Sequence, residues 1–305
     1  MKKYLYKKSE NVYKANLHCH TTLTDGQQTP AEIKKLYQAQ GYSIVAFTDH
    51  NVFTDHSALN DNRFLAINGC EVDLTAPQTN GNILDNRKTY HFNLLATRPD
   101  LTTAPPLPDM PYHDINAINQ YIAARRAEGF LVNYNHPYWS LHNFEDYGHL
   151  RGCFAMEIYN HGSERKSCFN GHHPQVYDDM LRSGQRLFCL ATDDNHNTPG
   201  FFGGWICLNS PNLGYETVMA ALAAGDFYAT QGPQIKEISL EGDVLAVKCS
   251  PAGRITMHTQ GRTGQQQRGE GLREAHFTLT GHEGYVRIAI RDAAHLFAYS
   301  NAYFI

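Results

Sequence analysis

The 305-residue sequence has no C-x-x-C pair; its seven cysteines, at 19, 70, 153, 168, 189, 207 and 249, stand singly. An odd, scattered set builds neither a disulfide framework nor a thiolate zinc site. No run approaches the ~18 apolar residues of a membrane span, and the lysine-rich start MKKYLYKKSENVYKANL lacks the apolar stretch of a secretory signal. A cytoplasmic chain with no membrane partner is therefore expected. Charge is scarce too, at 18% against roughly 25% in an average globular protein. With 26 Lys and Arg against 30 Asp and Glu, the net charge of -4 offers no global positive field. That disfavours a dedicated nucleic-acid surface but leaves a small phosphorylated substrate open. Walker, GxGxxG and GxSxG motifs are absent, which disfavours nucleotide-dependent transfer and serine hydrolysis. The sequence specifies no oligomeric state.

What is present is a core-forming chain, 42% hydrophobic, whose apolar runs alternate with amphipathic stretches from Asn16 to about Tyr228 in a β/α rhythm. Strands are expected at Ala15–Leu17, Ser43–Phe47, Phe64–Ile67, Tyr90–Leu95, Phe130–Tyr134, Phe154–Tyr159, Leu187–Ala191 and Trp205–Leu208. Thr29-Pro30-Ala31-Glu32 is a capping box opening one helix; Asp114, His173-Pro174 and Tyr215 begin others. After Gly232-Pro233 the pattern changes to strands around the turn Glu241-Gly242-Asp243, with a Gly/Gln-rich stretch, 261–271, that reads as a loop. The expected division is a β/α unit over 1–232 and a small all-β, sandwich-like domain over 233–305.

Histidine is abundant, with 17 residues. In His18-Cys19-His20 the two imidazoles are at i and i+2, so on extended backbone they share a face while Cys19 points away, as a small buried hydrophobe would. Other expected strands end in, or carry, similar groups: Asp49-His50, Glu71, His91, His136 and Asp193-Asp194-Asn195-His196. In a β/α barrel the C-terminal strand ends converge on one rim, which would bring these residues together. Six imidazoles and at least three carboxylates exceed one tetrahedral site. Two or three divalent ions, Zn, Mn or Fe by ligand type, account for them economically. The bland alternative is a set of unrelated core histidines, each satisfied by a neighbour.

Taken in order, HCHTTLTDG, FTDHN, the Glu of GCEVD, the His of YHFNLL, NHP and DDNH resemble the motifs of the PHP (polymerase and histidinol phosphatase) superfamily of metal-dependent phosphoesterases. The resemblance spans about residues 14 to 230 and implies a distorted (β/α)7 barrel with a di- or trinuclear centre. By that resemblance His18, His20, Glu71 and Asp194 would hold one ion. Glu71 would bridge to a second on His91 and His136, and Asp25, His50 and His196 would hold a third. FYATQGP near residue 230, followed by the β tail, resembles a branch related to carbamate hydrolases. Thr24 replaces the family's usual Ser, keeping the hydroxyl.

Several residues stay open on sequence alone. Asp193 is an orienting partner of a ligand, a solvated loop charge, or the ligand itself. Asn160 and His161 follow a strand and could bind substrate or, for His161, give a proton to the leaving group; His161 could equally be a loop residue. Lys88, Arg98 and Arg165 are phosphate clamps or solvated charges. The expected activity is metal-dependent hydrolysis of a phosphomonoester or phosphodiester by a metal-activated hydroxide. Its rivals are carbamate, amide or ester hydrolysis at the same centre, and a non-catalytic metal scaffold.

Overall fold

The structure, a computed structural model, describes residues 1–78, 87–104, 106, 109–166 and 170–305; Cys168 lies outside them. It is a mixed α/β fold with one large sheet. It opens with β1 (Lys3–Lys7), β2 (Val12–Asn16), α1 (Pro30–Ala39), β3 (Tyr42–Phe47), β4 (Leu65–Thr75) and β5 (Thr89–Ala96). Next come α2 (Ile115–Ala127), β6 (Phe130–Tyr134), α3 (Phe144–Tyr147), β7 (Ala155–Asn160), α4 (His161–Lys166), α5 (Pro174–Arg182) and β8 (Phe188–Thr192). Then follow β9 (Trp205–Asn209), α6 (Tyr215–Ala224), β10 (Phe227–Thr230), β11 (Ile235–Glu241), β12 (Val244–Thr259), β13 (Gln265–Thr278), β14 (Tyr285–Arg291), β15 (Phe297–Ser300) and β16 (Tyr303–Phe304).

Local signals set the helix starts. Thr29 and Glu32 form the reciprocal capping box of α1, and the Asp114 carboxylate accepts from the Asn116 and Ala117 amides to start α2. Each such cap stabilises by about 1 kcal/mol. Gly225 ends α6 in the left-handed conformation at φ 72°, which glycine adopts without a Cβ penalty.

Strands β2 to β8 lie side by side in chain order. An isolated parallel bridge between Cys19 and Asn195 links the extensions of β2 and β8. Not every neighbour is parallel, however: β5 runs antiparallel to both β4 and β6. Its start, not its end, therefore lies at the rim where β4 and β6 finish. On the other side β2 pairs with β9, β9 with β10, and β10 with β15, so the sheet continues into the tail.

The tail corrects one expectation. Residues 265–271 of the Gly/Gln-rich stretch are strand, because Gln265, Gln266, Gln267 and Arg268 pair in register with 254–257 of β12. Backbone pairing to an ordered neighbour overrides their weak β-propensity. The lysine-rich start supplies β1, which pairs with β11. Strand β14 alternates cleanly: Val286, Ile288 and Ile290 join the tail core, while Tyr285 and Ala289 join the larger core under the first eight strands. Among the described residues no helix is long and apolar enough to cross a membrane.

Candidate metal centre

Residues after β2 carry His18 and His20, both fully buried. Their Nε2 atoms face each other at 3.0 Å. Cys19 turns the other way, into a core with Ile33, Tyr37 and Phe47. The same two nitrogens lie 3.1–3.3 Å from carboxylate oxygens of Glu71 and Asp194. Glu71 sits in β4 at 1% exposure and also has His50, His91 and His136 at 3.0–3.2 Å. Beside them His196 Nε2 is 3.1 Å from the Asp25 carboxylate. All nine expected ligands thus come together, in four overlapping groups: His20, Asp25, His50 and His196; His18, His136 and Asp194; His18, His20 and Glu71; His50, Glu71 and His91.

The donor set fits divalent metal. Asp194 Oδ1, His20 Nδ1 and His91 Nδ1 are buried without a hydrogen-bond partner, although carboxylate oxygens and ring nitrogens crowd one another. Side chains aimed at shared points instead of at one another are what ligands look like, and unpaired buried polar atoms are costly without a partner. Burial pushes Glu71 and Asp194 up, yet the neighbouring imidazoles hold both carboxyls well below the usual range. Burial likewise lowers His20, but Asp194 and Glu71 reverse it and push the imidazole up to about 9. The carboxylates call for positive charge at this point, which a divalent ion would supply.

Backbone conformation helps aim the ligands. His136 and Asp194 have positive φ, 21° and 49°, a region that non-glycine residues enter at a cost of about 1–3 kcal/mol and mainly at functional positions. The turn at Asp194 also settles the Asp-Asp pair. Asp194 reaches the centre through a left-handed residue, not through an extended i, i+2 register. Asp193 points away, fully buried, accepting from the Phe202, Gly203 and Gly204 amides and from Tyr37 Oη. Burial pushes its carboxyl up to about 6 against those bonds. It is neither a ligand nor a solvated charge; it ties the loop before β9 to the end of β8.

Glu157 of β7 was missed in the sequence. Fully buried, it accepts from His18 Nδ1 (2.7 Å), Thr192 Oγ1 (2.7 Å), Asn160 Nδ2 (2.8 Å) and the His136 amide (2.9 Å). By taking the Nδ1 proton it leaves His18 Nε2 as the free donor atom toward the centre, the usual role of a carboxylate behind a ligand histidine. Glu157→Gln is expected to weaken metal binding and any turnover about 10–100-fold with the far-UV spectrum unchanged. Metal titration with circular dichroism checks this. Asp49 plays a comparable part for the first motif, accepting from the Thr21 amide and from both the Thr21 and Thr24 hydroxyls.

The other expected site residues are placed differently. Asn160 is fully buried and donates to Glu157 and, at 3.2 Å, to Asp194, so it positions a ligand and is closed to substrate. His161 Nδ1 is bonded to Tyr159 Oη at 2.8 Å, and burial pushes the ring down to about 4. It lies off the cavity, whose wall there is Gly162 and Ser163. A Cβ at Gly162 would meet the Asp194 carbonyl oxygen at 2.4 Å, which explains glycine next to the centre. Arg98 follows β5, and because β5 is reversed it lies at the opposite end of the sheet, bonded to Asp100. Lys88 is at the rim but its ammonium is held by Asp146 at 2.6 Å. Arg165 is exposed on α4. The cavity over the centre, about 330 Å³, is lined by the candidate ligands His50, His91 and His196 among others, with Trp139 at one side and, among the described residues, no Lys or Arg.

Residues 16–190 match the family model of the PHP domain. The chain belongs to the PHP domain family. No curated protein matches it. Among solved structures, a two-domain protein from Bacteroides vulgatus containing a predicted PHP-like metal-dependent phosphoesterase is similar at 13% identity, covering 99% of this chain and 97% of that one with a TM-score of 0.51. A protein from Bifidobacterium adolescentis proposed to be a metal-dependent phosphoesterase covers 61% of this chain and 88% of its own at 14% identity and TM-score 0.39. An amidohydrolase from Chromobacterium violaceum, with bound sulfate and no metal, covers 60% and 87% at 15% identity and TM-score 0.36. The first of these shares the fold with this PHP protein along nearly the whole chain.

Proposed function

We propose that the chain is a metal-dependent hydrolase acting on phosphate esters of small molecules at a centre of two or three divalent ions, Zn, Mn or Fe. The observation that supports this most is the convergence of nine donor side chains, with Glu71 touching five imidazoles, at the floor of one cavity. Bound ions would lower the pKa of a water and take up charge on phosphoryl oxygens. Glu71 and Asp194 would hold adjacent ions in common, His18 and His136 would be oriented by Glu157, and the open side near Asp25, His50 and Trp139 would admit substrate. With no Lys or Arg in the lining, a dianionic phosphate would depend on the ions for neutralisation. This explains a ligand set larger than polarising a single carbonyl requires.

The same lining supports a second reading. Trp139, next to the His91 and His136 rings at 5.3 and 5.0 Å, and a described lining without a cationic side chain suit an amide, ester or carbamate. The strand order β2 to β8 with the Cys19–Asn195 bridge is consistent with a distorted barrel over 1–232, and residues 233–305 are read as the β domain. Elemental analysis of purified protein is expected to find two to three equivalents of transition metal. A chromogenic panel of phosphomonoester, phosphodiester and carbamate with added Mn or Zn then separates the readings. Turnover of the carbamate alone would replace the phosphoesterase assignment, and metal binding without turnover of any would leave a scaffold.

A further inference from the structure

We propose that the face of the tail sheet turned toward α5 holds a second site, which binds a small organic phosphate through Arg254 and Arg291. The register of three strands carries the argument. Arg254 of β12 is directly opposite Arg268 of β13 on one side and Arg291 of β14 on the other. Directly opposed residues share a face, so three guanidinium groups stand in a row across the sheet. Like charges so placed are destabilising unless something of opposite sign lies between them.

Among the described residues no carboxylate forms an ion pair with that row. Two same-face positions along β14 from Arg291, Arg287 is fully buried and neutralised by Asp178 of α5 at 2.6 and 2.7 Å. Among the described residues Arg254 and Arg291 have no such ion pair, and Arg291 Nε is buried with no hydrogen-bond partner. Arg268 is held only by Gln266 at 3.3 Å. Glu270 and Asp292 line the same groove without forming an ion pair with any of the three. Two partly buried guanidinium forks without carboxylates, facing a cavity, are the arrangement that recognises phosphate oxygens bidentately.

The surroundings indicate what is attached to the phosphate. Arg254 and Arg291 line two adjoining cavities, one of about 620 Å³ beside Gly253, Gly269 and Gly271, the other of about 440 Å³. The second is walled by His172, Phe297 and Tyr299, with the Phe297 and His172 rings 5.4 Å apart. A flat organic group could stack there while its phosphate lies on the arginine row. A bulky nucleic-acid strand is not implied, since Glu270 and Asp292 put two carboxylates in the same groove, which would repel a run of phosphates.

Calorimetric titration of the full-length protein with adenosine monophosphate and with inorganic phosphate tests this. Wild type is expected to bind both, the nucleotide more tightly. Arg254→Gln with Arg291→Gln should weaken binding about tenfold or more, the worth of a lost charge-assisted hydrogen bond, with metal content unchanged. Ligand-free Tm in that variant should stay level or rise, because repulsion is relieved, while the Tm gain from nucleotide disappears. Should the double variant fail to fold, Arg291→Lys, which keeps charge but not the fork, should still weaken nucleotide binding. Equal affinity for the two ligands would assign the site to free phosphate and remove the stacking contact. Absence of binding in wild type, or the same affinity in the variants, overturns the proposal. The inference does not rest on the hydrolase reading, since nucleotide binding without any turnover would reject only the latter.

Discussion

Glu71→Gln is expected to reduce hydrolysis by more than about a hundredfold, beyond the range for partners behind the ligands, and to lower bound metal while leaving the fold intact. One carboxylate is within 3.0–3.3 Å of five imidazole nitrogens, so it touches every candidate ligand histidine except His196. A neutral amide of the same shape bridges cations poorly. The amide oxygen can still accept from Asn135 Nδ2, which donates to Glu71 at 2.7 Å, so local packing survives. Turnover, elemental analysis and far-UV circular dichroism on the variant decide the matter: unchanged turnover with a normal spectrum would remove Glu71 from the centre.

The largest stability effect is expected at Asp178→Ala. Its carboxylate meets Arg287 and, at 3.1 Å, Tyr285 Oη across the contact between α5 and β14. Removing it strands a buried guanidinium, at a cost of about 3–5 kcal/mol, which lowers Tm by on the order of 10 °C for a chain of this size. Replacing both partners with apolar residues, Asp178→Leu with Arg287→Met, should cost far less. The pair also gives a pH dependence. Burial raises the Asp178 carboxyl, but the bonds and charge of Arg287 outweigh it and hold the group below its ordinary value. Its contribution is therefore complete above the unfolded-state pKa of about 3.9 and is lost as pH falls through the lower folded value. Urea melts between pH 6 and pH 3 should show that acid loss in wild type and less of it in Asp178→Asn.

The nine candidate ligands that the fold brings together were legible because each metal-binding type ends or interrupts an apolar run, and strand ends meet on one rim. Glu157 was not, because a single acid within AMEIYN reads as the outward position of a strand; only the His18 ring beside it reveals its role. Arg98 was misplaced for a different reason. Strand direction leaves no trace in the strand's own residues, and the reversal of β5 sends everything after Ala96 to the far end. The roles of Asp193 and Asp194 stayed open on sequence alone, whereas a positive φ at Asp194 turns the two side chains apart. The Gly/Gln stretch failed as a loop because composition reports propensity, not the partner strand that overrides it.

The pairing of Lys3 with Leu240 and Lys7 with Glu237 has a consequence during biosynthesis. At ~5–20 residues per second, β1 leaves the ribosome tens of seconds before its partner strand exists. Strand β2 waits almost as long for Trp205–Asn209, with which it pairs on its other side from β3. Contacts so distant in sequence form slowly, and an unpaired early strand is exposed to other chains in the meantime. The lysines at both ends of β1, Lys3 and Lys7, keep that waiting edge charged, so solubility on the ribosome is a second use for a segment whose folded role is to close the tail.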